Sequence, residues 1–154
     1  MTKNIKTLIC ATAVAGLAFM ASCKYTCDLG YEGDNCTTPV REKYLGTFSG
    51  NELCGSAADS FNIAISEISN DVTKVRFTNL HNANNQTATG TVLENGSITI
   101  PSQAFGSGGN INGTLTMVNG KISVEYLVKI DGLPDAACTW IQTEWHCRCV
   151  SWGW

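Results

Sequence analysis

Asn119-Gly120-Lys121-Ile122-Ser123-Val124-Glu125-Tyr126-Leu127-Val128-Lys129-Ile130 places an apolar side chain at every second position from Ile122 to Ile130. Successive side chains of a strand point to opposite faces, so these five share one face, whereas a helix would scatter them around its axis. The reading is a long half-buried strand. Asn119-Gly120, just before it, is the dipeptide that fits a two-residue hairpin turn, because both residues tolerate positive φ. An antiparallel partner over residues 112–118 follows from that turn.

The same signals recur outward from this hairpin. Asn95-Gly96 is a second tight turn, joining a weaker strand at 87–93 to one at 97–101 with Ile98 and Ile100 inward. Upstream, residues 43–50, 60–68 (Phe61, Ile63 and Ile65 on one face) and 73–80 (Val75 and Phe77 inward) read as three more strands, and 137–143 as the last. His81-Asn82-Ala83-Asn84-Asn85 is a polar loop, and residues 106–110 loosen the chain again. About eight strands at this spacing, with no comparable stretch of helical period, predict an all-β domain. Tight hairpins favour an up-and-down meander, and closing the meander into a barrel removes exposed edges. The predicted domain covers residues 42–140.

The N-terminus carries a different message. Lys3 and Lys6 precede an uncharged apolar run over 8–20, which then meets Met20-Ala21-Ser22-Cys23. The run is shorter than the roughly 20 residues that span a bilayer and stops at small residues suited to processing. It resembles a bacterial lipoprotein signal, with Met20 where leucine is commoner; a secretory signal cut near Ala21 is the competing reading. The resemblance implies that residues 1–22 are removed and that Cys23 is lipidated with two or more acyl chains, palmitate among them, a number that makes membrane residence stable. The expected location is the cell envelope, on the outer membrane ahead of the inner, with the leaflet open. From Cys23 on, the chain keeps eight of ten basic residues and all thirteen acids, a net charge of −5. That balance argues against nucleic acid as a partner, which needs clustered Lys and Arg.

Of eight cysteines, Cys10 falls in the signal and Cys23 takes the lipid, leaving Cys27, Cys36, Cys54, Cys138, Cys147 and Cys149. An even number of thiols in an exported chain reads as disulfides, with fifteen pairings open. Cys54 follows the first strand and Cys138 begins the last, so joining them would tie the ends of the sheet together. Cys27-Asp28-Leu29-Gly30-Tyr31-Glu32-Gly33-Asp34-Asn35-Cys36 resembles the C-terminal loop of an EGF-like module, and that resemblance implies the pair Cys27–Cys36, with Gly30 and Gly33 at positive φ. Residues 23–41 are then a lipid anchor and an EGF-like stub, expected to bind no metal; of its two readings, a rigid spacer between lipid and domain is favoured over a recognition epitope.

The order of lipidated Cys23, the Cys27 to Cys36 loop, Val40-Arg41-Glu42-Lys43-Tyr44-Leu45-Gly46-Thr47-Phe48, Glu52-Leu53-Cys54 and Ile98-Thr99-Ile100-Pro101-Ser102-Gln103 is similar to that of small exported lipoproteins of Bacteroidota. The resemblance covers residues 23 to about 138 and implies a calycin-type, lipocalin-like β-barrel behind the stub. It implies no catalytic residue.

Residues 141–154 depart from this pattern. Trp140, Trp145, Trp152 and Trp154 crowd the end of the chain, with His146-Cys147-Arg148-Cys149 among them. His146, Cys147 and Cys149 are soft ligand types, yet three so close together make a poor metal site, and an extra disulfide or an aromatic end packing on the barrel outweighs it. A tail that is not a native continuation of the domain is a third reading. No metal and no cofactor are expected.

Enzyme motifs are not found: there is no Gly-x-Ser-x-Gly elbow, no His-Glu-x-x-His and no phosphate loop. His81 reads as a solvated turn residue, and Glu94, Glu125, Asp131 and Asp135 as solvent-facing charges. The chain is therefore expected not to be an enzyme. Two classes are open, with the oligomeric state undetermined. One is a binding module for a small apolar molecule, a glycan or a protein; the other is a structural or interaction lipoprotein with a filled barrel and no small ligand. A cavity lined by Phe61, Phe77 and Tyr126 would favour the first, a packed interior the second.

Overall fold

A computed structural model of the chain describes residues 26–143. The signal segment, Cys23 and the tail residues His146, Cys147 and Cys149 lie outside the described residues.

The stub contributes a two-stranded ribbon, β1 (Tyr31–Glu32) with β2 (Thr38–Pro39), beside the Cys27–Cys36 disulfide. Gly30 and Gly33 turn the chain there at φ of 92° and 88°, a region that L side chains avoid. Eight antiparallel strands follow: β3 (Gly46–Cys54), β4 (Ala57–Glu67), β5 (Lys74–Thr78), β6 (Thr87–Val92), β7 (Ile98–Phe105), β8 (Gly109–Val118), β9 (Lys121–Ile130) and β10 (Ala136–Gln142). Each pairs with the next, and β10 pairs back onto β3, from Cys138 opposite Cys54 to Gln142 opposite Gly50. The meander is a closed barrel. Its seam is stapled by the Cys54–Cys138 disulfide, 84 residues apart in sequence.

Alternation fills the interior. Phe48, Ile63, Ile65, Val75, Phe77, Ile98, Ile111, Leu115, Val124 and Trp140 all point inward and are buried. Phe61 and Tyr126, with Phe77 the candidate lining of a cavity, are packed into this core, Phe61 lying 6.5 Å from Trp140 between ring centroids. Trp140 lies over the neighbouring strand β3 because β3 presents Gly50 to it: a Cβ there would lie 2.2 Å from an indole carbon. Burying each large apolar side chain contributes about 1.5–3 kcal/mol, which makes this interior the main source of stability.

Two elements differ most from the sequence reading, and β4 and β8 each begin three residues earlier than expected, at Ala57 and Gly109. Residues 40–44 form a 3-10 turn (Val40–Tyr44), not the start of the first strand; Val40, Arg41 and Tyr44 are buried at helical spacing, and alternation begins only at Gly46. β7 runs on to Phe105 because a register shift between Ile100 and Gln103 absorbs Pro101, which has no N–H to donate. Gln103 compensates with its side-chain amide, which accepts from the Thr89 N–H and donates to the Thr89 carbonyl, both at 2.8 Å, as a strand backbone would.

The 3-10 turn covers the rim where β3 starts. Arg41, 7 % exposed, donates to the carbonyls of Ile68, Asp71 and Lys74 and to the Glu67 carboxylate at 2.9 Å. The Tyr44 hydroxyl donates to the Gly96 carbonyl at 2.7 Å, and Lys43 pairs with Glu32 of the stub at 2.9 Å. This rim is the closed end. The opposite rim, formed by the loops after β3, β5, β7 and β9, is here termed the mouth.

Candidate functional site

Glu52 and Cys54 are two residues apart on β3 and so face the same way, into the barrel near the mouth. Cys138 and Trp140 lie opposite them on β10, and Tyr126 of β9 lies opposite Cys138. His81 arrives from a different direction, in the short 3-10 turn Leu80–Asn82 of the loop between β5 and β6. Asn79, His81 and Asn82 all adopt left-handed backbone conformations, with φ of 65°, 56° and 48°. Asn tolerates this region better than most residues, and the tight reversal folds the loop against the mouth.

The loop delivers the His81 ring to the buried cluster. Its Nδ1 lies 3.1 Å from Glu52 Oε2 and 3.8 Å from Cys54 Sγ, and the ring meets Tyr126 edge-on at 6.3 Å between centroids. One donor atom from each of Glu52, Cys54, His81 and Cys138 falls within 4.8 Å of the others. The hydrogen bond to the Glu52 carboxylate raises the His81 pKa above its ordinary value; burial opposes the rise, and the negative charges of Glu52 and Asp59 add to it. The arrangement is a buried carboxylate hydrogen-bonded to a partly exposed imidazole, beside a disulfide.

That pair is incompletely served. Glu52 is only 6 % exposed, yet among the described residues its Oε1 has no hydrogen-bond partner, and the Tyr126 hydroxyl and Trp140 Nε1, both buried, have none there either. Buried polar atoms are nearly always partnered by protein or ordered water, so three on neighbouring strands mark a polar spot in an otherwise apolar interior.

His81 is thus not the solvated turn residue that its Asn-rich surroundings suggest: the left-handed residues fold its loop inward, which local composition does not reveal. Glu94, Glu125, Asp131 and Asp135 are exposed, and Asp135 pairs with Lys129 at 2.8 Å. Both disulfides, Cys27–Cys36 and Cys54–Cys138, are formed. Glu52 was missed as a site residue, although a signal existed: it lies two residues from Cys54 on one strand and so shares a face with the disulfide at the seam. Outside the barrel, a cleft of about 680 Å³ lies between the stub and the β6–β7 turn, bordered by Leu29, Tyr31, Val40 and Leu93.

Side chain and strand define the class of protein here as a closed, eight-stranded antiparallel barrel with a filled interior and a polar mouth. Comparison with protein-family models, curated proteins and solved structures finds no match to the chain.

Proposed function

We propose that this chain is an envelope lipoprotein, held to a membrane by lipid on Cys23, whose barrel is a rigid interaction body and not a carrier of an apolar molecule in its lumen. The supporting observation is the filled interior: Trp140 is fully buried against Gly50, and Phe61, Phe77 and Tyr126 are packed into the same core, where a luminal ligand would sit. Eight-stranded barrels have an interior just wide enough either to be filled by side chains or to hold one small ligand, and here the side chains take the space. Partners, a glycan or a protein, would meet the outer surface, and no catalysis is part of this reading. The EGF-like stub serves as the spacer between lipid and barrel.

The test has two arms. Expression with labelled fatty acid in a lipoprotein-competent bacterium should mark the wild type and leave Cys23→Ala unlabelled; equal labelling defeats the anchor. Titration of the oxidised chain with a fluorescent fatty acid should give no saturable binding, and stoichiometric uptake quenched through Trp140 would restore the luminal carrier.

A further inference from the structure

We propose that the mouth is a masked metal site: when the Cys54–Cys138 disulfide is reduced, Cys54, Cys138, His81 and Glu52 bind a divalent ion of the zinc class. This goes beyond the interaction role and does not depend on the lipid anchor.

The donor set carries the inference. Two thiolates, an imidazole and a carboxylate form a tetrahedral combination of the kind zinc takes, and the sulfurs favour it over magnesium or calcium, which want oxygen. The spacing agrees. Bonds of about 2.0–2.3 Å to a tetrahedral centre put neighbouring donors about 3.3–3.8 Å apart. His81 Nδ1 already stands 3.1 Å from Glu52 and 3.8 Å from Cys54, and all four donors lie within 4.8 Å of one another. The two sulfurs, now bonded, have to separate, and the donor pairs that stand as far as 4.8 Å apart have to close by about 1 Å.

A second observation points to a cation independently of the cysteines. Glu52 is more than nine-tenths buried, and its buried Oε1 has no hydrogen bond among the described residues. A half-solvated His81 is its sole partner among the hydrogen bonds and ion pairs described for it. Desolvating a carboxylate is costly unless a positive charge and further ligands attend it, and a metal ion supplies both. The donors also come from three separate elements, β3, β10 and the β5–β6 loop. An ion would therefore take over the cross-link that the disulfide makes at the seam.

The chemistry balances as follows. A dithiol reductant gives two electrons and two protons to the Cys54–Cys138 bond; the sulfur–sulfur bond breaks, two thiols form, and the reductant becomes a disulfide. The divalent ion then displaces both thiol protons and takes a lone pair from the neutral imidazole and one carboxylate oxygen. A small-molecule disulfide reverses this: it takes two electrons from the two thiolates and two protons from water, leaves as two thiols, and the re-formed Cys54–Cys138 bond releases the ion. The tail residues His146, Cys147 and Cys149 offer competing ligands, so the test removes the two tail thiols.

Cobalt(II) is the probe, added to the full chain in mild detergent with Cys147→Ser and Cys149→Ser, before and after reduction by a water-soluble phosphine. The expected result is one equivalent bound with a thiolate-to-cobalt charge-transfer band in the reduced chain alone, displaced by zinc. The band should vanish in Cys54→Ser/Cys138→Ser, and binding should weaken about tenfold or more in His81→Ala, His81→Gln and Glu52→Gln. Cys27→Ser/Cys36→Ser should leave it unchanged. Binding without the band, a band indifferent to Cys54 and Cys138 or to His81, or equal binding to the oxidised chain would overturn the proposal. Circular dichroism runs in parallel: a strand signal lost on reduction and not restored by cobalt would also overturn it.

Discussion

Each rim of the barrel buries one charged side chain, and the two are treated differently. At the closed end Arg41 serves three carbonyls and the Glu67 carboxylate, so its donors meet acceptors from the β4–β5 turn and its flanking strands. At the mouth Glu52 meets His81 through one oxygen while the other has no partner among the described residues. A buried ion with a full set of partners works as a fastener, because removing it orphans every group it served. A buried ion with half a set contributes little to stability and leaves a place where something else can bind.

The largest effect should come from the covalent part of the mouth. Replacing both Cys54 and Cys138 by serine removes a cross-link spanning 84 residues, worth about 4–5 kcal/mol on the chain-entropy model. Guanidinium denaturation of the non-reduced chain measures it; a loss as small as that of an isolated surface contact would mean that the seam holds without its staple. Next come the two charges themselves. Arg41→Ala strands three carbonyls and should cost about 2–3 kcal/mol, whereas Glu52→Gln in the oxidised, metal-free chain should stay within about 1 kcal/mol of wild type. Equal costs in the same denaturation assay would erase the contrast between the rims.

The smallest effect is pH-dependent. Because pairing with Glu52 raises the His81 pKa in the folded chain, the imidazolium contributes stability that is fully present below its unfolded value near 6.5 and is lost as pH rises through the higher folded value. The partly exposed ring limits this to under about 1 kcal/mol. The stability difference between wild type and Glu52→Gln should therefore shrink as the pH is raised above 6.5. A difference that widens would show that Glu52 and His81 are not coupled in this sense.

What the chain disclosed in advance follows how local each signal is. The strand from Lys121 to Ile130 and its Asn119-Gly120 turn were legible because period-two alternation and turn chemistry depend on a few adjacent residues. The seam between β3 and β10 was legible only through its cysteines, which tag two positions that the alternation alone could not have paired. The turn at Val40–Tyr44 was hidden because one turn of helix is too short to establish a period. His81 was hidden for a tertiary reason: an Asn-rich loop reads as solvated until its left-handed residues fold it onto the mouth. Glu52 needed only the observation that it shares a face with Cys54.

An even number of strands in a simple meander has one more outcome. β3 begins and β10 finishes on the same rim, where Thr143 donates its N–H to the Ser49 carbonyl and accepts from Lys121. A tether joined directly before β3 or directly after β10 therefore starts from that rim, at the opposite end of the barrel from the loop bearing His81, like the foot of a post set in the ground.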